Sequence, residues 1–139
     1  MTSKIIHAGI SELRRAFHAH RNAATKTSGI TYYLLLFYAA ECGLKSIYLK
    51  ENNLQKTDLI QDQAMLSQYG HNLNTWVKQV NTYPNKIEEA PHFHIEDGSN
   101  LDISKAHQAW RYGVRIKEED EQKLVKWLEN LCNWIKGNI

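Results

Sequence analysis

Only two prolines and seven glycines punctuate the 139 residues. That is too few for the many short strands and tight turns of a sandwich or barrel, so the composition speaks against an all-β fold. Cysteine is scarce too. Cys42 and Cys132 each sit among apolar neighbours with no second cysteine nearby, which argues against a redox pair or zinc knuckle; both read as reduced core residues. No apolar run is long. Tyr32 to Ala40 ends at Glu41 and Lys45, well short of the ~20 residues that cross a bilayer, so no membrane partner is expected. Met1 to Lys4 lead into Ile5, Ile6 and His7 without the apolar stretch and small-residue cleavage site of a secretory signal, and the expected location is cytoplasmic. A Gly-rich phosphate loop, a Gly-x-Ser-x-Gly elbow and a dinucleotide fingerprint are all missing, so common nucleotide enzymes lose weight and no cofactor is expected.

What is present is ordinary for a globular chain: 42% hydrophobic and 23% charged residues, enough for one domain with one core. No repeat or Pro/Gly/Ser-rich linker divides it. The charge is unevenly placed. Residues 1–57 hold 8 Lys+Arg against 3 Asp+Glu, a net of +5, while the remainder nets −3. A basic first half permits attraction to phosphate backbones without requiring it.

The periodicity predicts an all-α, up-and-down bundle of four to five helices, with a long loop before a short penultimate helix. Ile6, Ile10, Leu13 and Phe17 recur at helical spacing and place a first amphipathic helix up to about Ala24. Thr27-Ser28-Gly29 makes a turn. From Ile30 to about Lys50 the chain is apolar on nearly every side, as a central helix should be. Gly43 costs that helix about 1 kcal/mol relative to Ala, which implies that a neighbour needs the space. Asp58 is expected to cap a helix through Ile60, Met65 and Leu66 that Gly70 stops. Leu73, Trp76, Val77 and Val80 define the next helix, ended by Pro84. Asn85 to Leu101 reads as a loop with a hairpin-like excursion. Ser104 is expected to cap a helix from Lys105 to Tyr112, closed by Gly113, with Val114 to Ile116 extended after it. The last helix opens on Glu118, Glu119, Asp120 and Glu121 and closes on Lys136 and Gly137, matching charge to its dipole at both ends.

Four groups of residues could carry chemistry. His107 and Arg111 lie four apart on one helical face, with Arg115 just beyond; an imidazole can move a proton while a guanidinium steadies phosphate charge. Alternatively, His107 is a hydrogen-bonded core residue and Arg111 pairs with a carboxylate such as Glu41. His71 precedes a helix start, where backbone N–H groups favour anions, or it merely helps cap that helix. In the first helix Arg15 and His20 form a second basic–imidazole pair, set against a plain solvated basic face that includes Arg14, His18 and Arg21. His92, His94, Glu96 and Asp97 could point metal ligands to one side of an extended segment, but no partner motif supports a metal, and a polar loop is the simpler reading.

Phe37-Tyr38-Ala39-Ala40-Glu41-Cys42-Gly43-Leu44-Lys45, Gly70-His71-Asn72-Leu73 and Ala109-Trp110-Arg111-Tyr112 together resemble a HEPN domain, the helical bundle of toxin-antitoxin, phage-defence and RNA-processing proteins. The resemblance covers most of Ile30 to Ile135. It implies a small helical protein that binds RNA or nucleotide through a basic groove, as a homodimer or with a partner protein encoded nearby. Arg111 would clamp phosphate, Lys45 would add a point charge, His107 and His71 would donate hydrogen bonds, and Glu41 would orient the arginine. Active members resemble one another in an Arg followed four to six residues later by a His. Here no His follows Arg111 or Arg115; His107 and Arg111 stand in reversed order, and Arg15 and His20 have the spacing but sit in the first helix. The alternative implied by the resemblance is metal-independent RNA cleavage by one of those pairs. A third reading is a partner subunit whose Trp76, Trp127 and Trp134 faces close an oligomer.

Overall fold

The structure, a computed structural model, describes residues 6–80 and 87–139. Among the described residues six α-helices carry the fold: α1 (Ile10–Ala24), α2 (Gly29–Glu51), α3 (Ala64–Ser67), α4 (Leu73–Gln79), α5 (Ala106–Tyr112) and α6 (Glu118–Asn138). Two 3-10 turns, Thr57–Leu59 and Ile103–Lys105, and a two-residue ladder of β1 (Phe93–His94) on β2 (Asn100–Leu101) complete the regular structure. The chain is thus mostly helical, as its composition predicts. No helix among the described residues is long and apolar enough to cross a membrane.

α2 is the axis, and α1, α4, α5 and α6 all pack on it. Its apolar character on every side follows from that position: Leu36, Phe37, Ala39, Ala40, Leu44, Ile47 and Leu49 are buried in different directions. Gly43 is where α1 and α6 close in. A Cβ there would stand 2.5 Å from Ile135 Cγ2 and 3.0 Å from Phe17 Cδ2, so the space inferred from sequence is taken by two core side chains. Cys132 is buried and Cys42 half-buried, both as free thiols. Trp76 and Trp110 are fully buried, while Trp127 and Trp134 pack half-buried against the core. The Trp127 Nε1 donates to the Glu88 carbonyl at 2.9 Å.

Several local expectations are corrected. The first helix begins at Ile10, not Ile6, which is 93% exposed. The Glu12 carboxylate accepts the Gly9 N–H at 3.0 Å, and Gly9 bridges to Lys56, so the chain before Ile10 is tied to the loop instead. No continuous helix runs from Asp58 to Leu66. Ile60 is extended, and the Asp62 carboxylate accepts the Ala64 N–H at 3.1 Å to start the single turn of α3. α4 stops at Val80, whose backbone is extended; Pro84 lies outside the described residues, as does Asn85 at the start of the predicted loop. The hairpin excursion is present, with Phe93 opposite Leu101 and His94 opposite Asn100. Ser104 does not cap α5: Asp102 caps the 3-10 turn that leads into it, accepting the Ser104 N–H at 2.9 Å and also the Ser104 hydroxyl, and α5 itself begins without a side-chain cap. Gly113 closes α5 with φ of 72°, a left-handed cap natural to glycine.

Candidate functional site

Three helices bring one polar cluster together. On α2, Phe37, Glu41 and Lys45 recur at every fourth residue and so share a stripe. Asn72 caps α4 by accepting the Asn74 N–H at 3.2 Å, and that turn sets His71 against the stripe. The His71 Nδ1–H donates to Glu41 Oε1 at 2.6 Å, and Lys45 Nζ lies 3.4 Å from Glu41 Oε2. Lys45 Nζ also stands 5.6 Å from the Trp76 ring centre. From α5, His107 inserts its ring between Phe37 and His71, with centroids 5.3 Å and 4.3 Å away.

The electrostatics follow from burial. Burial pushes the Glu41 carboxyl up, but the His71 hydrogen bond and the Lys45 ammonium more than offset this and hold it below its ordinary range. Glu41 is therefore an anion at neutral pH. His107 is only 3% exposed. Burial first, then the neighbouring His71, pulls its pKa down to about 4, with Arg111 and Lys105 adding to the effect against the opposing pull of Glu41. It is a neutral ring, and its Nδ1 is buried without a hydrogen-bond partner. His71 differs: its side chain is more than half exposed, with one nitrogen fixed by Glu41 and the other on the opposite edge of the ring. A carboxylate that fixes one ring nitrogen of an exposed imidazole sets the tautomer at the other, the arrangement that lets it accept a proton.

Lys45, Glu41, His71 and His107 are thus brought together. Arg111 is not paired to Glu41, which corrects the expected orienting contact. It projects from the exposed end of α5, where its guanidinium donates to the Tyr112 hydroxyl at 2.9 Å and lies 4.9 Å from that ring's centre. The Tyr112 and Tyr38 hydroxyls both raise its pKa, so its charge is fixed. Arg115 stands apart, exposed, 4.0 Å from Glu96. Arg15 and His20 are also separated. Five residues turn a helix by about 140°, so Arg15 is exposed while half-buried His20 meets Tyr38 at 6.0 Å between ring centres.

The His92–Asp97 segment is occupied by structural contacts. The Asp120 carboxylate accepts both the His94 backbone N–H at 2.8 Å and its Nδ1–H at 2.9 Å, and Asp97 accepts the Ser99 N–H at 2.8 Å. Among the described residues no group of three or more His, Cys, Asp or Glu is placed to hold a metal ion.

Phe37, Tyr38 and Tyr112 belong to the motifs quoted from the sequence, but the sequence reading gave them no role at the site. The signal was available: Phe37 is one turn before Glu41, and Tyr112 directly follows Arg111 at a helix end. No family model, curated protein or solved structure matches the chain.

Proposed function

We propose that the chain is a HEPN-like, up-and-down helical bundle that binds RNA or nucleotide over the face formed by α2, the start of α4 and α5, as a component of a bacterial toxin-antitoxin or phage-defence system. The observation that carries this reading is the convergence of Glu41 from α2, His71 from the turn before α4 and His107 from α5, with Arg111 one turn beyond His107 on the same short helix. Arg111 and Lys45 supply positive charge for phosphate. The exposed Tyr112 ring beside Arg111 offers a surface on which an unpaired base can stack, a contact that tolerates any base. His107 serves as a neutral wedge that sets His71.

Fluorescence anisotropy with a labelled single-stranded RNA tests the reading. Arg111→Ala is expected to weaken binding roughly tenfold, the cost of one charge-assisted contact, and to flatten the salt dependence by about one unit of slope. Unchanged affinity in Arg111→Ala and His71→Ala, with the fold intact, rejects the site.

A second reading, metal-independent RNA cleavage, is favoured by one feature: the 2.6 Å contact between Glu41 and His71. It transfers the proton-moving role from His107, which is buried and neutral, to His71. The imidazole would take the proton of a ribose 2′-hydroxyl as that oxygen attacks phosphorus, and the 5′-oxygen would leave with a proton from solvent, giving a 2′,3′-cyclic phosphate. Incubation with mixed tRNA and mRNA in EDTA decides it. Intact RNA at high protein concentration eliminates cleavage; products ending in a cyclic phosphate that vanish in His71→Ala establish it.

A further inference from the structure

Where the end of α1 meets the start of α2 and the second half of α6 there is a partly enclosed cavity of about 170 Å³. Its floor is formed by Ala24, Leu36 and Cys132, all buried. Its rim carries one charge of each sign, Arg21 from α1 and Glu129 from α6. The two are not paired with each other, and among the described residues neither belongs to an ion pair. Each is held by a neutral partner instead. The Arg21 guanidinium donates to Asn133 Oδ1 at 2.6 Å, and Glu129 Oε2 accepts the Tyr32 hydroxyl at 2.5 Å.

Those contacts position the charges without neutralising them. A guanidinium has five N–H donors and a carboxylate about four acceptor sites, so one hydrogen bond leaves each free to bind more. Both charges reach the floor of the cavity. Burial lifts the Cys132 thiol to about 12, with Arg21 pulling against that rise and Glu129 adding to it. Burial and then Glu129 raise the Tyr32 hydroxyl to about 12, so it stays a donor. Asn133 follows Glu129 by four residues on α6, which anchors Arg21 about one helical turn, ~5.4 Å, from the carboxylate.

We infer that this cavity binds a free α-amino acid with a short aliphatic side chain, its carboxylate on Arg21, its ammonium on Glu129 and its side chain on the floor of Ala24, Leu36 and Cys132. Charge and size select this ligand. A simple anion would gain Arg21 but face Glu129, and a simple cation would meet the reverse. A molecule with both charges on neighbouring carbons satisfies the two ends together. Nucleotides are too large, since ligands of that size occupy clefts of about 300–1,000 Å³. The site is separate from the nucleic-acid face: none of Glu41, His71, His107 and Arg111 lines it. A ligand held there ties α1 to α6 and stabilises the folded chain by mass action.

Isothermal titration calorimetry of the full chain with L-valine tests the inference. The expected result is saturable binding at one site per chain with a Kd of about 1 mM. Isovalerate, which lacks the ammonium, and isobutylamine, which lacks the carboxylate, should each bind roughly tenfold more weakly, read by NMR shift titration. Glu129→Gln keeps an acceptor for Tyr32 and Arg21→Gln keeps a donor for Asn133, so both variants should fold. Each should weaken valine binding roughly tenfold. Glu129→Gln should nevertheless hold isovalerate as well as the parent does, and Arg21→Gln should do the same for isobutylamine, a pattern that general damage to the cavity would not produce. No saturable valine binding, equal affinity for valine and isovalerate, or valine affinity unchanged in either variant overturns the inference. A valine-induced rise in Tm that both variants share is a bulk solute effect and overturns it too.

Discussion

Gly43 occupies a mid-helix position where almost any other residue would favour the helix, and the reason is contact. With its hypothetical Cβ 2.5 Å from Ile135 and 3.0 Å from Phe17, Gly43→Ala gains up to about 1 kcal/mol of helix propensity and loses about 1–3 kcal/mol to overpacking. The expected outcome is a net loss of stability in urea titration; a stabilised variant would show that α1 and α6 yield easily at this point. His107 sets a second expectation. Its pKa falls from the ordinary 6.5 to about 4 in the folded chain. Between those values the unfolded chain binds a proton that the folded one refuses, so stability rises with pH there and drains away as pH falls, by at most about 1.4 kcal/mol per pH unit. Glu41, held below its ordinary value, adds stability present above that value and lost as pH falls through its folded pKa. His107→Phe keeps a ring against Phe37 and His71 and removes the buried unpartnered nitrogen. Its urea midpoint should therefore vary less than that of the parent between pH 7 and pH 5, and an identical pH profile would refute the assignment of a depressed His107. How far the site was legible is also a residue question. Glu41, Lys45, His71 and His107 stood out as polar residues set into apolar patterns. Their pairing did not, because Glu41 selects His71 across thirty residues of chain, and spacing reports only neighbours three or four positions away.

At the scale of elements, legibility follows length. The bounds of α2 and α6 lie within a residue or so of the predicted ones, since many turns of consistent apolar pattern outweigh any local ambiguity. The stretch from Thr57 to Ser67 offered one apparent cap, Asp58, and an apolar pattern resting on Ile60, Met65 and Leu66, which fits a 3-10 turn plus a single helical turn as well as a helix. The start of α1 was misread because Ile6 continues the helical period while the chain there is held by long-range contacts: the Thr57 N–H bonds the Ala8 carbonyl at 3.0 Å, and the Thr57 hydroxyl accepts the Ala8 N–H at 3.1 Å. The hairpin depends on contacts outside itself. Its two-residue strands supply little pairing, and what fastens it is Asp120 in the first turn of α6, accepting two hydrogen bonds from His94, with the Lys117 N–H bonding the His94 carbonyl at 2.8 Å. The carboxyl is held below its ordinary pKa chiefly by the His94 side chain. Asp120→Ala should loosen this element by about 1–3 kcal/mol, the cost of two lost bonds with one polar group left unpaired. Hydrogen exchange reads it directly: the His94 amide should exchange faster while amides in the middle of α2 keep their protection. Equal protection in both proteins would show that the ladder holds without its clip.

For the whole molecule the question is whether a single axis makes a single cooperative unit. α2 contacts every other long helix, and two buried indoles mark opposite ends of it: Tyr33 meets Trp110 of α5 and Tyr48 meets Trp76 of α4, each with ring centres 5.5 Å apart. Fifteen residues of helix separate the two tyrosines, about 22 Å. Trp110 is further tied to α6, its Nε1 donating to Glu121 at 3.1 Å, so its end of α2 is braced by two helices. The Trp76 end is braced by the short α4 and by the Nε1 bond to the Gly70 carbonyl at 3.3 Å. If α2 transmits order along its length, loss of either brace exposes apolar surface that the rest of the core cannot cover, and both ends unfold together. Replacing Trp127 and Trp134 with Phe, together with either Trp76 or Trp110, leaves one reporter at one end. In each such variant, fluorescence and far-ultraviolet ellipticity should share one urea midpoint. If the Trp76 reporter moves at lower urea than the ellipticity while the Trp110 reporter follows it, α4 and its polar cluster open as a separate unit. The candidate site would then straddle the two units, with Lys45 and His71 at the less stable end and His107 and Arg111 on α5 beside Trp110, and a ligand bridging Lys45 and Arg111 would stabilise the protein by closing them together.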